Sequence, residues 1–148
     1  MLGATQAGMA FTNSSVALVH GMSRPIGAHF HVPHGLSNAM LLPAVTRFGL
    51  DAAPVRYAEA SRRIGFAGPD DSDEAACARL REGLVRLNRA LDVPSPRAWG
   101  IEKEAWDARL GVMAEQALAS GSPANNPRVP TREEIVALYR EVYAGEAG

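Results

Sequence analysis

Cysteine, lysine, long apolar runs and any surplus of one charge are all scarce in this 148-residue chain, and each scarcity removes a class of protein. The single Cys77 cannot close an internal disulfide, and its run Ala75-Ala76-Cys77-Ala78 reads as the buried stripe of a helix rather than a reactive site. No stretch approaches the ~20 consecutive apolar residues of a membrane span, and no basic region followed by an apolar core opens the chain. The protein therefore reads as soluble and cytoplasmic, with no membrane partner. Fifteen basic residues against sixteen acidic ones give a net charge of −1, which leaves no basic excess to displace counterions from a phosphate backbone. Nucleic acid is excluded as a partner on that ground. Lys103 is the only lysine beside fourteen arginines, a bias of coding without mechanistic weight. A Gly-rich phosphate loop is missing too, and Cys77 stands too far from the histidines in sequence for a Cys/His arrangement.

What is present is a globular composition, 47% hydrophobic and 21% charged, at a length suited to one core. The pattern predicts a single all-α domain over residues 1–148, of five to seven helices, with no internal repeat. Strand signals are nearly absent, whereas helical periodicity is plentiful. Leu2 to Met22 is apolar or small almost all the way round, which predicts a helix buried on most faces. Pro25 and Gly27 are expected to break it before a second helix starts at Pro33 or His34 and runs to about Phe48. Pro54 to Ile64, with Val55, Ala58 and Ile64 inward, forms a third, closed by Gly65. Ser72 caps an amphipathic helix over Asp73 to Leu91, with Ala76, Leu80, Leu84, Leu87 and Leu91 at helical spacing. Glu102 to Leu118 forms another. After the loop from Gly121 to Pro130, Thr131 and Glu134 set up a capping box for the last.

All four histidines, His20, His29, His31 and His34, fall within fifteen residues. Imidazole is the commonest metal-ligating side chain, and zinc or iron(II) sites gather two or three with a carboxylate. On one straight helix His20 and His34 would stand ~21 Å apart, so they can share an ion only if the chain folds back between them. Pro25, Gly27, Pro33 and Gly35 supply the breaks. His31 with His34, and His29 with His31, are rival pairs, and spacing does not choose between them. Arg24 and Asn38 read equally as a helix-end interaction and a local backbone bond. Asp70/Asp71 and Glu133/Glu134 read as loop and first-turn charges.

The residues Ala7-Gly8-Met9-Ala10-Phe11-Thr12-Asn13, His20-Gly21-Met22-Ser23-Arg24-Pro25-Ile26-Gly27, Pro33-His34-Gly35-Leu36-Ser37-Asn38-Ala39 and Leu42-Pro43 follow one another in the order and spacing of a known pattern. Together with Asn126-Pro127-Arg128, Thr131, Ile135 and Tyr139 near the end, they closely resemble the C-terminal helical part of the iron-containing alcohol dehydrogenase family. The resemblance implies hydride transfer between an alcohol, or an aldehyde or ketone in reverse, and NAD(P), with an ion acting as Lewis acid. The ion would be iron(II), or zinc. In the family one aspartate and three histidines hold it, and the last two histidines match His20 and His34. The resemblance further implies that the other two ligands and the NAD(P)-binding α/β domain precede Met1, so the isolated chain is expected to be inactive. Many relatives carry histidine where Arg24 stands. Arginine cannot shuttle a proton, but it could contact a cofactor phosphate or a substrate carboxylate, while His31 or His29 would take the titratable role. The partners expected are an alcohol or aldehyde and either a second copy in a homo-oligomer or a cofactor-binding domain. Two other readings stand beside this one: a split-enzyme subunit needing a separate cofactor-binding chain, and a non-catalytic helical interaction module.

Overall fold

The computed structural model describes residues 1–145, so the last three residues of the expected domain lie outside the described ones. Its elements are α1 (Leu2–Ser14), α2 (Leu18–Phe30), α3 (His34–Gly49), α4 (Pro54–Arg63), α5 (Asp73–Ala90), α6 (Lys103–Ala119) and α7 (Arg132–Ala144), with short 3-10 turns at Leu50–Ala52 and Ser122–Asn125. No strand occurs among the described residues, so the all-α expectation holds.

The first expected helix is two. Thr12, Asn13 and Ser14 turn their side chains back onto the carbonyls of Gly8, Met9 and Ala10, and Ser15 then takes φ 65°, which ends α1. Nor is α1 buried: Leu2, Met9 and Phe11 are 73, 66 and 52% exposed, because no described element covers it. Pro25 does not break the chain either. It sits buried inside α2, between the core positions Met22 and Ile26, and the packing of those neighbours outweighs the hydrogen bond that proline forfeits.

The main core lies among α2, α3, α6 and α7, and its centre is aromatic. Trp106 of α6 is fully buried, stacked on Phe30 at 5.4 Å and edge-on to Tyr139 at 5.8 Å between ring centroids. Each polar tip finds a partner. Trp106 donates to the Tyr139 carbonyl (3.2 Å), Tyr139 Oη donates to the Met22 carbonyl (2.8 Å), and Tyr143 Oη donates to the Ile101 carbonyl (2.9 Å). Burial pushes the Tyr139 phenol far up, so it stays a donor. The C-terminal helix is thereby fastened to the backbone of α2, two residues from His20.

A smaller cluster joins α4 to α5 through Ala58, Ala67, Ala76 and Cys77. Cys77 is buried, as its run predicts, and its thiol donates to the Pro54 carbonyl (3.3 Å). Val55, Ile64, Leu87 and Leu91 are exposed, contrary to the expected apolar faces: α4 and α5 meet along a narrow seam of small residues, which the ends of each helix overrun. Ser72 caps α5, and the capping box of Thr131 and Glu134 closes on α7.

Replacing Tyr139 with Phe leaves its ring in place and removes one buried hydrogen bond, and should lower stability by about 1 kcal/mol in urea unfolding. The Thr131 amide donating to Glu134 holds that carboxyl below its ordinary value, with the Arg128 guanidinium assisting. A depressed folded pKa means that this stabilisation is present above the ordinary glutamate range and lost as pH falls below it. The midpoint should therefore drop with acidification over that window, and Glu134→Gln, which keeps the cap but not the charge, should flatten the dependence.

Candidate metal centre

The reversal that the histidines require is made at His31, not at Pro25 or Gly27. His31 takes φ 55° and ψ 26°, and its amide donates to the Gly27 carbonyl (3.0 Å), closing α2. Val32 and Pro33 then carry the chain back across α2 to the start of α3. Gly27 serves as a place of close approach rather than as a break: a Cβ there would stand 3.3 Å from the Val32 carbonyl oxygen.

This return brings His20 and His34 face to face, with ring centroids 5.1 Å apart and planes inclined at 50°. His20 is half-buried and His34 exposed. Burial lowers the His20 pKa first, and the neighbouring His34 and Arg24 lower it further, so its imidazole is neutral at neutral pH with a lone pair to give. Two such rings at this separation fit two positions in the coordination sphere of a transition metal. Among the described residues no set of three or more His, Cys, Asp or Glu side chains converges, so the chain brings two donors.

The other histidines are placed differently. His29 lies nine residues from His20, half a turn round the helix, and its Nε2 meets Gln116 Oε1 of α6 at 2.9 Å. His31 is an exposed cap with left-handed backbone. Arg24 follows His20 by one turn on the same face, and its guanidinium reaches Ser122 Oγ at 3.5 Å. Phe11 of α1 comes within 6.5 Å of the His20 ring, and beside them lies a groove of about 360 Å³ walled largely by Val16, Val19, Leu42, Val45 and Tyr57.

Two supporting residues escaped the sequence reading. Ser23 and Ser37 are both 0% exposed, and each donates back to the carbonyl of its own histidine, Ser23 to His20 (3.3 Å) and Ser37 to His34 (3.0 Å). The signal was a short repeat, His-Gly-Met-Ser at 20–23 and His-Gly-Leu-Ser at 34–37. Asn38, read from the sequence as a local backbone bond, instead turns its side chain to the ring: its Nδ2 lies 3.1 Å from His34 Nε2, while its Oδ1 is buried without a partner. Gly21, next to His20, lets Pro123 approach to 3.1 Å of where a Cβ would be, which seats the 3-10 turn against α2.

Comparison with known proteins adds a lineage to this geometry. The family model described as Fe-containing alcohol dehydrogenase family, C-terminal, matches residues 1–143. The lactaldehyde reductase of Escherichia coli K12 is 38% identical over 143 residues, covering 96% of this chain and 36% of that protein. The NADPH-dependent butanol dehydrogenase of Clostridium saccharobutylicum is 31% identical over 94% of this chain and 36% of its own length. A crystal structure of 1,3-propanediol oxidoreductase superposes with a TM-score of 0.83 at 33% identity, over 92% of this chain and 35% of that one. The chain thus spans about a third of the length of the relatives it matches.

The pairing of the rings is tested by titrating Zn²⁺ into the protein in a calorimeter. His20→Ala and His34→Ala should each abolish the heat of binding seen with the parent chain, whereas His29→Ala, which only cuts the tie to Gln116, should leave it in place.

Proposed function

The chain belongs to the iron-containing alcohol dehydrogenase family, matching its C-terminal part, and on that premise we propose that it is the all-helical, metal-holding portion of an NAD(P)-dependent oxidoreductase acting on alcohols and aldehydes or ketones. The observation that carries the reading is the His20–His34 pair, two imidazoles brought face to face by the chain reversal at His31, with burial favouring the neutral form of His20. His20 and His34 would hold the ion, iron(II) in the family's own terms and zinc as the alternative, through their unprotonated nitrogens. A bound ion of this kind supplies Lewis acidity, easing loss of the hydroxyl proton from an alcohol and polarising a carbonyl in the reverse direction.

The remaining residues shape the place where substrate would lie. The groove beside His20 offers Phe11, Val19 and Val45 to an aliphatic chain. Arg24, permanently charged and one turn from His20, would contact a cofactor phosphate or a substrate carboxylate but cannot move a proton. His31, exposed at the end of α2, takes the titratable role in this reading. NAD(P) would come with an α/β domain outside these residues, either in the same polypeptide or in a separate chain that completes the enzyme, and a homo-oligomer is compatible with the exposed apolar positions of α1. A cytoplasmic setting is part of the same proposal and is compatible with the free, buried Cys77. No described helix is long and apolar enough to cross a membrane.

Two donors make a weaker site than a complete set. Incubated with iron(II) or zinc, NAD⁺ or NADP⁺ and short-chain alcohols, the 148-residue chain should therefore show no turnover, followed by nicotinamide absorbance. Robust turnover by the chain alone would overturn the proposal that it supplies only part of the enzyme. Metal uptake that survives loss of both His20 and His34 would instead favour a non-catalytic helical module.

A further inference from the structure

We propose that Asn125 is a positioning residue for the groove beside His20: it holds a strained elbow between α1 and α2, and through that elbow it sets where Phe11 stands. This role deepens the reading of the groove as the place where a substrate chain would lie, and rests on it.

The elbow is formed by Ser15, Val16 and Ala17. Ser15 takes φ 65° with ψ −177°, a combination open to glycine and strained for any residue with a Cβ. Such a residue persists only where its surroundings hold it. Helix α1 supplies no hold of its own, since none of its residues is buried and the side chains of Thr5, Thr12 and Asn13 bond back onto the carbonyls of the same segment. The hold comes from far along the chain. Asn125 Nδ2 donates to the Val16 carbonyl (3.0 Å) and reaches Ser15 Oγ at 3.4 Å. Among the described residues no other side chain outside α1 is hydrogen-bonded to the elbow.

Asn125 can act as a clamp because its own footing is firm. It closes the 3-10 turn Ser122–Asn125, whose fully buried Pro123 is seated against Gly21 of α2, the residue after His20. The elbow is therefore fixed relative to the same stretch of α2 that carries the imidazole. Phe11 lies about one helical turn before Ser15, so the direction in which α1 leaves the elbow decides where its ring falls. In this structure the ring centroid stands 6.5 Å from that of His20, and Phe11 and Val16 both line the groove. Without the clamp Ser15 is free to relax to a negative φ, and α1, held by no buried residue, would swing and carry Phe11 away.

The test is proton NMR of the 148-residue chain, with n-pentanol as the probe of the groove. The parent chain should show nuclear Overhauser contacts between the Phe11 and His20 rings, and saturable shifts of the Val16, Val19 and Val45 methyl groups as pentanol is added. Asn125→Ala should lose both signals. Asn125→Asp, which keeps the shape but sets a carboxylate against the Val16 carbonyl, should lose them too. Neither variant should change the unfolding midpoint or the near-ultraviolet dichroism of Trp106 and Tyr139, because α1 contributes nothing to the core. A parent chain without the Phe11–His20 contacts would overturn the proposal, as would contacts that persist in both variants. Loss of the contacts together with a lowered midpoint would also overturn it, by making Asn125 a support of the whole fold. If the contacts respond as expected but pentanol leaves the methyl groups of the parent unmoved, the clamp on the elbow stands and the reading of the groove as the substrate's place fails.

Discussion

The tie between Tyr139 and the Met22 carbonyl is the constraint on which the arrangement of this protein turns. A phenol hydroxyl so deeply buried must be paired, and the partner it finds is a backbone oxygen in the first turns of α2. That one contact sets the height of α7 against α2. Trp106, wedged between Phe30 and Tyr139 and donating to the Tyr139 carbonyl, then sets α6 against both. His20 sits two residues from the fastened carbonyl, so the ring that would meet an ion stands on a helix packed into the core. A site built on packed helices holds its geometry better than one built on a loop.

His34 is held by different means. It opens α3 immediately after the return segment of Val32 and Pro33, where a helix start has few backbone partners of its own. Ser37 donates to the His34 carbonyl and Asn38 lies against its ring. The two imidazoles thus reach one place by unlike routes, His20 from a core helix and His34 from a helix start. Their mutual influence together with burial keeps His20 neutral-leaning, the form that can donate a lone pair.

Much of this was legible in advance, and the failures share a cause. The caps at Ser72 and Thr131, the start of α4 at Pro54 and the burial of Cys77 followed from rules that act within a few residues. The errors arose where a local rule met a distant neighbour. Pro25 was expected to end a helix, yet core packing on both sides of it carries the helix on to Phe30. The apolar run from Leu2 was expected to be buried, yet burial depends on a covering element, which periodicity does not report. The Ser of each His-Gly-apolar-Ser segment was overlooked because a small hydroxyl carries little signal until its burial is known.

The sequence by itself determined that the chain is helical, where most of its helices begin and end, and that its chemistry is concentrated in four histidines between positions 20 and 34. Those properties depend on spacing and on near-neighbour hydrogen bonds, both written along the chain. Only the tertiary structure decided which histidines meet. The choice of His20 with His34, and the assignment of His29 to Gln116 instead, depend on where His31 reverses the backbone and on how α2 is clamped by helices more than eighty residues away. Spacing in sequence limits which side chains can approach one another, but the packing of the core selects among them.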